Sequence, residues 1–575
     1  MKMTMFAAAA LSAAAALFAG EKEYIWPEGK MPDAQPHQIA AMTDVSTKKG
    51  FKPGEWRKPY IEWFDPPAPA ANTGVCMILI SGGAYNVQCD ISLVRQWREK
   101  LAALGVTCVS LVHRTPRPKG LPIWQSAWED GQRAVRLVRS QAAKRGFDPG
   151  KIGVMSMSAG SHLAVLLATS SLTPAYAPVD ALDAQPCNIN FACTFAIAYA
   201  MSDGVGMPNR QGGDAPGVTL DPVFKFDAKT CPVWMSHGGN DPYAPASSAH
   251  VYRRLRERGV PAELHLYPGK RHGAFGFDRA VEFMRQMRFL PCGPEKPLMK
   301  RFPDDSARAK YAKKAVWPKG KTPDFQKNQC EPYLEWHFPK KLSTKAIQII
   351  FSGGSYQGNS PEGFEVKPAR RYLNAKGMTV VTVRYRTPRP AAPLAKHVTA
   401  WQDLQRAIRL VRAEAPKHGL DPDLIGVMGS SAGGHLALMC ATSSTQAAYK
   451  PIDETDSIPC NVQWAVAIYP AYALDDGAEA FNTTGGNADS ARLVPEFKFD
   501  SATPPVLFVH GDADKWAAMN SVKAWERLRR MGVQGELHTL ALRGHCFQKA
   551  ASPGTGSYTY LDRIWEFLSG KKLNK

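Results

Sequence analysis

A twelve-residue stretch occurs twice in this chain and constrains its fold more than any other feature. The first copy runs Ile152-Gly153-Val154-Met155-Ser156-Met157-Ser158-Ala159-Gly160-Ser161-His162-Leu163; the second runs Ile425-Gly426-Val427-Met428-Gly429-Ser430-Ser431-Ala432-Gly433-Gly434-His435-Leu436. In each, a β-branched run ends in small residues and an Ala/Leu-rich run opens with glycine. That pattern reads as strand, tight turn and helix, with Ser158 or Ser431 at the apex of a nucleophile elbow. Small neighbours are needed where a serine backbone is strained and the turn packs closely, and the helix N-terminus behind it favours developing negative charge. The second copy fits Gly-x-Ser-x-Gly through Gly429, Ser431 and Gly433. The first is the weaker match, because Ser156 and Ser161 replace elbow glycines and put a hydroxymethyl group at the tightest point.

The surroundings are duplicated as well. Trp26-Pro27 is echoed by Trp317-Pro318, and Pro59-Tyr60-Ile61-Glu62-Trp63 by Pro332-Tyr333-Leu334-Glu335-Trp336. Apolar runs of buried-strand type, Val75 to Ile80 and Ala346 to Phe351, each lead into Ser-Gly-Gly-x-Tyr, ending at Tyr85 and Tyr356. Second strands, Val106 to Val112 and Thr379 to Val383, lead into Arg-Thr-Pro-Arg-Pro at Arg114 and Arg386. Trp128, Val135 and Val138, matched by Trp401, Ile408 and Val411, recur at helical spacing and mark the core face of a helix before each elbow. Further apolar runs follow at Phe195 to Ala198 and Val233 to Met235, and at Ala465 to Ile468 and Val506 to Val509. Strands alternating with helices imply an α/β fold: two tandem domains, each a mostly parallel sheet with helices on both faces. Their expected extents are 21–295 and 315–575, with a proline- and charge-rich linker at 296–314. Gly320-Lys321-Thr322 is no phosphate loop, since Ala315 stands where its first glycine belongs.

Ahead of the first copy, Lys2 precedes an apolar run from Phe6 to Phe18, with Ala19 and Gly20 just before the charged Glu21-Lys22-Glu23. This reads as a secretory signal peptide over 1–20, too short for the ~20 apolar residues of a membrane span, and predicts a secreted or periplasmic protein. The 11 cysteines are an odd number, and Cys76 and Cys108 sit in strand-like runs, so buried thiols are expected rather than a disulfide framework. The net charge of +20 comes from scattered residues, and clusters such as Arg529-Arg530 are too short for a nucleic-acid site. Neither a C-x-x-C pair nor an H-E-x-x-H stretch is present, so no metal motif and no cofactor are indicated.

A serine hydroxyl becomes a useful nucleophile when a histidine takes its proton and a carboxylate holds that histidine. The first copy offers Asp241, in His237-Gly238-Gly239-Asn240-Asp241, then His272; the second offers Asp514, in His510-Gly511-Asp512-Ala513-Asp514, then His545. Ser158, Asp241 and His272 each stand 273 residues before Ser431, Asp514 and His545. Asp512, Asp203 and Asp476 are rival acids, but Asp512 faces Gly239 in the other copy. His162, His435, His265 and His538 read as structural. An oxyanion hole needs two backbone N–H groups, one from Ala159 or Ala432 and one from the glycine loop at Gly83-Ala84 or Gly354-Ser355.

With these motifs assembled, each copy resembles α/β-hydrolase esterases, particularly the secreted acetyl xylan esterase and feruloyl esterase-like group. The resemblance rests on Ser-Gly-Gly-x-Tyr, Arg-Thr-Pro-Arg-Pro, Ser-Ala-Gly-Gly-His-Leu-Ala and His-Gly-Asp-Ala-Asp. It implies Ser431–Asp514–His545 and Ser158–Asp241–His272 triads and a short-chain, acetyl-type ester on a hemicellulose-like polysaccharide. Tyr85, Tyr356 and Trp516 are the aromatics expected to meet sugar. Two readings stand beside the esterase: a serine peptidase of the prolyl-oligopeptidase-like class, and a binding protein with decayed sites.

Overall fold

In the computed structural model, residues 20–38, 58–66, 72–89, 91–202, 217–291, 313–475, 491–548 and 559–570 are described. The chain divides into two compact units, Met1–Leu264 with Gly269–Cys292, and His265–Pro268 with Gly293–Lys575. Nearly all of the expected signal peptide and linker lies outside the described residues.

Unit 1 contains β1 (Glu21–Tyr24), β2 (Tyr60–Phe64), β3 (Cys76–Ile80), β4 (Thr107–Val112), β5 (Ile152–Met157), β6 (Phe191–Phe195), the short ribbon β7 (Met201–Ser202) and β8 (Thr219–Leu220), β9 (Val233–Gly238) and the first half of β10 (Ala262–Tyr267). The large sheet has the order 1-2-4-3-5-6-9-10. β1 and β2 enter antiparallel, and β4 to β9 run parallel. Unit 2 repeats this with β11 (Lys314–Ala315), β12 (Tyr333–His337), β13 (Ile347–Phe351), β14 (Thr379–Arg384), β15 (Ile425–Ser430), β16 (Trp464–Ile468), the ribbon β17 (Leu474–Asp475) and β18 (Arg492–Leu493), β19 (Val506–Gly511) and β20 (Gly535–Leu540). Its order is 11-12-14-13-15-16-19-20, parallel from β14 to β20.

The central strands β3, β5, β13 and β15 are buried at every position. Continuous apolar runs rather than alternating ones are what a parallel sheet covered on both faces demands. The helices Gln125–Ser140 and Val398–Glu414 bury Val135 and Val138, and Ile408 and Val411, as their spacing requires, although Trp401 is only partly buried. One strand differs from expectation: β6 ends at Phe195 because Ala196 turns out of the sheet with φ 50°. Among the described residues ten cysteines are free thiols, seven of them buried.

The repeated Trp-Pro and Arg-Thr-Pro motifs meet inside each unit. Arg386 and Asp403 are fully buried; Arg386 donates to the carboxylate through its backbone N–H (2.7 Å) and Nε (2.9 Å), and Trp317 Nε1 donates to the same carboxylate at 2.6 Å. Arg114, Asp130 and Trp26 repeat the arrangement, with Glu129 added at 2.7 Å from the guanidinium. The charges are satisfied from several sides, which is the condition for holding an ion pair away from water.

Candidate active site

β5 and β15, in the middle of their sheets, each feed a strained turn. Ser158 has φ 60° and ψ −125°, and Ser431 has φ 57° and ψ −121°, a region that costs a non-glycine residue on the order of 1–3 kcal/mol. The turn is held by the neighbouring strand: the serine N–H groups donate to Phe195 and Ile468 carbonyls, both at 2.9 Å. The helices Ala159–Thr169 and Ala432–Thr442 start at once behind them and are buried throughout. Gly429 has no room for a side chain, since a Cβ there would lie 2.1 Å from the Gly433 carbonyl oxygen. In unit 1, however, Ser156 and Ser161 do not simply crowd the turn. Their hydroxyls meet at 3.2 Å, and Ser161 Oγ donates to the Phe195 carbonyl at 2.9 Å.

In unit 2 the three candidate residues form one hydrogen-bonded chain. His545 Nε2 lies 2.8 Å from Ser431 Oγ, and His545 Nδ1 lies 2.8 Å and 3.0 Å from the two Asp514 carboxylate oxygens. In unit 1, His272 Nδ1 is 2.7 Å from Asp241 Oδ2, but among the described residues no hydrogen bond joins His272 to Ser158. Asp512 is not the histidine's partner, and Asp203 and Asp476 lie outside the described residues.

Each carboxylate also faces a second, buried histidine. His510 Nε2 approaches Asp514 at 3.4 Å and His237 Nε2 approaches Asp241 at 3.2 Å, while their Nδ1 atoms sit 2.8 Å from Ser521 and Ser248 hydroxyls. Burial alone would push these carboxyls up. The imidazoles of His510 and His545, and of His237 and His272, close to each carboxylate, outweigh it and hold both well below the usual carboxylate range. The role of His237 and His510 was not read from the sequence, although the signal was present: a histidine four residues before the acid in both copies.

The glycine loops supply the opposite wall. Gly83 and Gly354 adopt φ 126° and 112°, and a Cβ on either would lie 1.9 Å from the carbonyl oxygen of Val87 or Gly358. The backbone N–H groups of Gly83, Ala84 and Ala159, and of Gly354, Ser355 and Ala432, donate no hydrogen bond among the described residues. The Gly353 N–H, by contrast, donates to buried Glu365 at 2.6 Å, and Tyr469 Oη donates to the same side chain at 3.0 Å. Glu365 therefore braces the unit 2 loop; in unit 1, Arg117 Nε does so by donating to the Ala84 carbonyl at 2.9 Å. A cavity of about 580 Å³ opens between this loop and Ser431, His545, Trp516, Lys515 and Phe364.

Two expectations need correction. Tyr85 and Tyr356 do not face this space: they are 2% and 0% exposed, and their hydroxyls lie 2.8 Å and 2.9 Å from Nδ1 of His162 and His435. The left-handed backbone at both tyrosines, φ 61° and 60°, turns the rings inward. Of the three aromatics expected to meet sugar, Trp516 is the one that lines the cavity. His162, His435, His265 and His538 are all buried.

Sheet order, elbow and carboxylate turn together define each unit as an α/β-hydrolase. The chain belongs to the BD-FAE family, whose profile matches residues 64–203 and 334–528, more than half of the chain. Among curated proteins, Esterase LipQ of Mycobacterium tuberculosis is 25% identical over 242 residues, covering 39% of this chain and 54% of LipQ. An acetylxylan esterase of Xylanibacter ruminicola is 24% identical over 224 residues, covering 36% of this chain and 42% of that protein. The chain thus spans about half the length, or less, of these curated relatives. A solved acetyl ester-xyloside bifunctional hydrolase from Caldicellulosiruptor lactoaceticus is 26% identical, with 46% of this chain and 99% of that one covered and a TM-score of 0.38.

Proposed function

We propose that this protein is an exported serine carboxylesterase that removes short acyl groups, acetyl foremost, from a hemicellulose-like polysaccharide. The observation that carries the reading is the Ser431–His545–Asp514 hydrogen-bonded chain at the mouth of a small cavity lined by undonated backbone N–H groups. His545 Nε2 takes the Ser431 proton as Oγ attacks the ester carbonyl, and Asp514 stabilises the imidazolium. The N–H groups of Ala432 and of Gly354 or Ser355 receive the oxyanion. His545 returns the proton to the leaving alcohol oxygen as the C–O bond breaks, leaving an acyl-serine. A water then attacks that acyl group, giving its proton to His545, and the free acid leaves as Ser431 is reprotonated. Unit 1 has the same groups, but His272 must first turn to Ser158, so its turnover is the slower.

An acetyl group offers little contact area, so recognition rests on the alcohol part of the substrate. The rim supplies exposed Lys515, with Asn359, for polar contacts, while Trp516, itself only 4% exposed, forms part of the wall. Similarity to the acetylxylan esterase of X. ruminicola supports the acetyl-ester reading, and the N-terminal apolar segment supports export. Acetate release from acetylated xylan, set against p-nitrophenyl esters of increasing chain length, tests the proposal. Faster cleavage of long-chain esters or peptides, with no acetate from the polymer, would overturn the substrate assignment.

A further inference from the structure

Three side chains of unit 2, distant in sequence, converge behind the elbow. His435 lies one helical turn beyond Ser431, His397 immediately precedes the helix Val398–Glu414, and Glu496 lies in the segment after β18. One ligand-type atom from each falls within 4.8 Å of the other two. His435 Nε2 is 3.3 Å and His397 Nδ1 is 3.5 Å from Glu496 Oε1. Neither nitrogen has a hydrogen-bond partner, although His435 is 0% and His397 8% exposed. We propose that His397, His435 and Glu496 bind a divalent first-row transition metal ion, with Zn²⁺ as the ion the donor set suits best.

The spacing fits such an ion. Tetrahedral zinc with bonds of about 2.0–2.1 Å places its ligand atoms roughly 3.3–3.4 Å apart, close to the two separations to Glu496. Two imidazoles and a carboxylate are borderline donors suited to zinc, and three protein ligands leave a fourth position for water. The outer contact is in place too: His435 Nδ1 sits 2.9 Å from the Tyr356 hydroxyl, and with the ion bound Nδ1–H would donate there, leaving the Nε2 lone pair for the metal.

Unit 1 provides an internal control. Ser170 Oγ donates to the Val223 carbonyl as Ser443 Oγ donates to that of Glu496, so the two backbones correspond. Trp124 occupies the helix-start position of His397, and His162 that of His435. Unit 1 thus presents Trp124, His162 and Val223 where unit 2 presents His397, His435 and Glu496. Both differences introduce a ligand group, and both are aimed at the shared histidine. None of the three residues lines the catalytic cavity. The ion would instead staple the elbow helix to two connecting segments and, through Tyr356, to the glycine loop.

The full-length protein, stripped with chelator, should be titrated with Zn²⁺ by calorimetry and with Co²⁺ by visible absorption. We expect one tight equivalent of Zn²⁺, a Co²⁺ spectrum of nitrogen and oxygen ligation without thiolate charge transfer, and a rise of several degrees in melting temperature. The double substitution His397→Trp with Glu496→Val, which installs residues already accommodated in unit 1, should abolish all three. Glu496→Gln, nearly isosteric, should weaken binding at least tenfold with the fold intact. Absence of a tight equivalent, unchanged binding in either variant, or a thiolate spectrum would overturn the proposal.

Discussion

Replacing Gly354 with alanine, in a chain whose Ser158 is already alanine, isolates the glycine loop of unit 2. An ideal Cβ at Gly354 would lie 1.9 Å from the Gly358 carbonyl oxygen and 2.9 Å from its carbon, well inside the 3.0 Å that real Cβ atoms respect. The obstacle is backbone on the same short turn, where Gln357 and Gly358 N–H groups donate back to the Gly354 carbonyl at 2.8 Å and 3.2 Å. The φ of 112° disfavours alanine independently of space. The loop must therefore move, and its N–H groups move with it. Loss of one oxyanion donor costs roughly 100- to 1,000-fold in kcat, about 3–4 kcal/mol of barrier. Steady-state hydrolysis of p-nitrophenyl acetate should show that loss mainly in kcat, with unit 2 still folded and its melting temperature lowered by no more than a few degrees. Gly358→Ala is the control, because a Cβ there meets nothing within 4 Å and activity should stay within a few-fold. If Gly354→Ala retained activity within threefold, the loop would not be the oxyanion donor.

Ser431→Ala should remove most esterase activity and Ser158→Ala a smaller share; a fluorophosphonate probe followed by peptide mass spectrometry should label both serines, Ser431 faster, since His545 already stands 2.8 Å from it. Labelling confined to Ser158 would reverse that ranking. Asp403→Ala strands the buried Arg386 guanidinium and the Trp317 indole, and should destabilise unit 2 by about 3–5 kcal/mol in chemical denaturation. Asp453 accepts from Arg406 at 2.7 Å and 2.6 Å, and those bonds lower its pKa to about 2. A carboxyl depressed on folding stabilises fully above its unfolded value of about 3.9 and loses that contribution as pH falls through the folded value. The stability gap between wild type and Asp453→Asn should therefore narrow from pH 5 to pH 2 in denaturant titrations.

The positions that come together at the site were visible as spaced motifs because backbone chemistry dictates them. A strained serine turn requires small neighbours, and a glycine at φ 112° leaves an unmistakable Ser-Gly-Gly. What sequence did not reveal were contacts whose partners lie far apart. Glu365 reaches the Gly353 N–H across a loop, and Arg386 and Trp317, 69 residues apart, converge on the Asp403 carboxylate. The tyrosines after the glycines were misread for a related reason: an aromatic in a polar loop looks exposed until its left-handed backbone is known. Ser156 and Ser161 looked like two separate departures from the motif, and only their 3.2 Å contact makes them one compensated exchange.

The indole-to-carboxylate bond that closes each unit sets a limit on how this chain can be cut. Trp26 donates to Asp130 across 104 residues, and Trp317 to Asp403 across 86. A truncation that begins at β2 or β12 would keep the central strands and the triad candidates, yet it would lose the edge strand β1 or β11 and leave a carboxylate short of one donor beside the buried arginine. The duplicated stretch therefore reaches back past the tryptophan to β1 and β11 rather than starting at the first central strand. Expression of either half alone should respect that boundary.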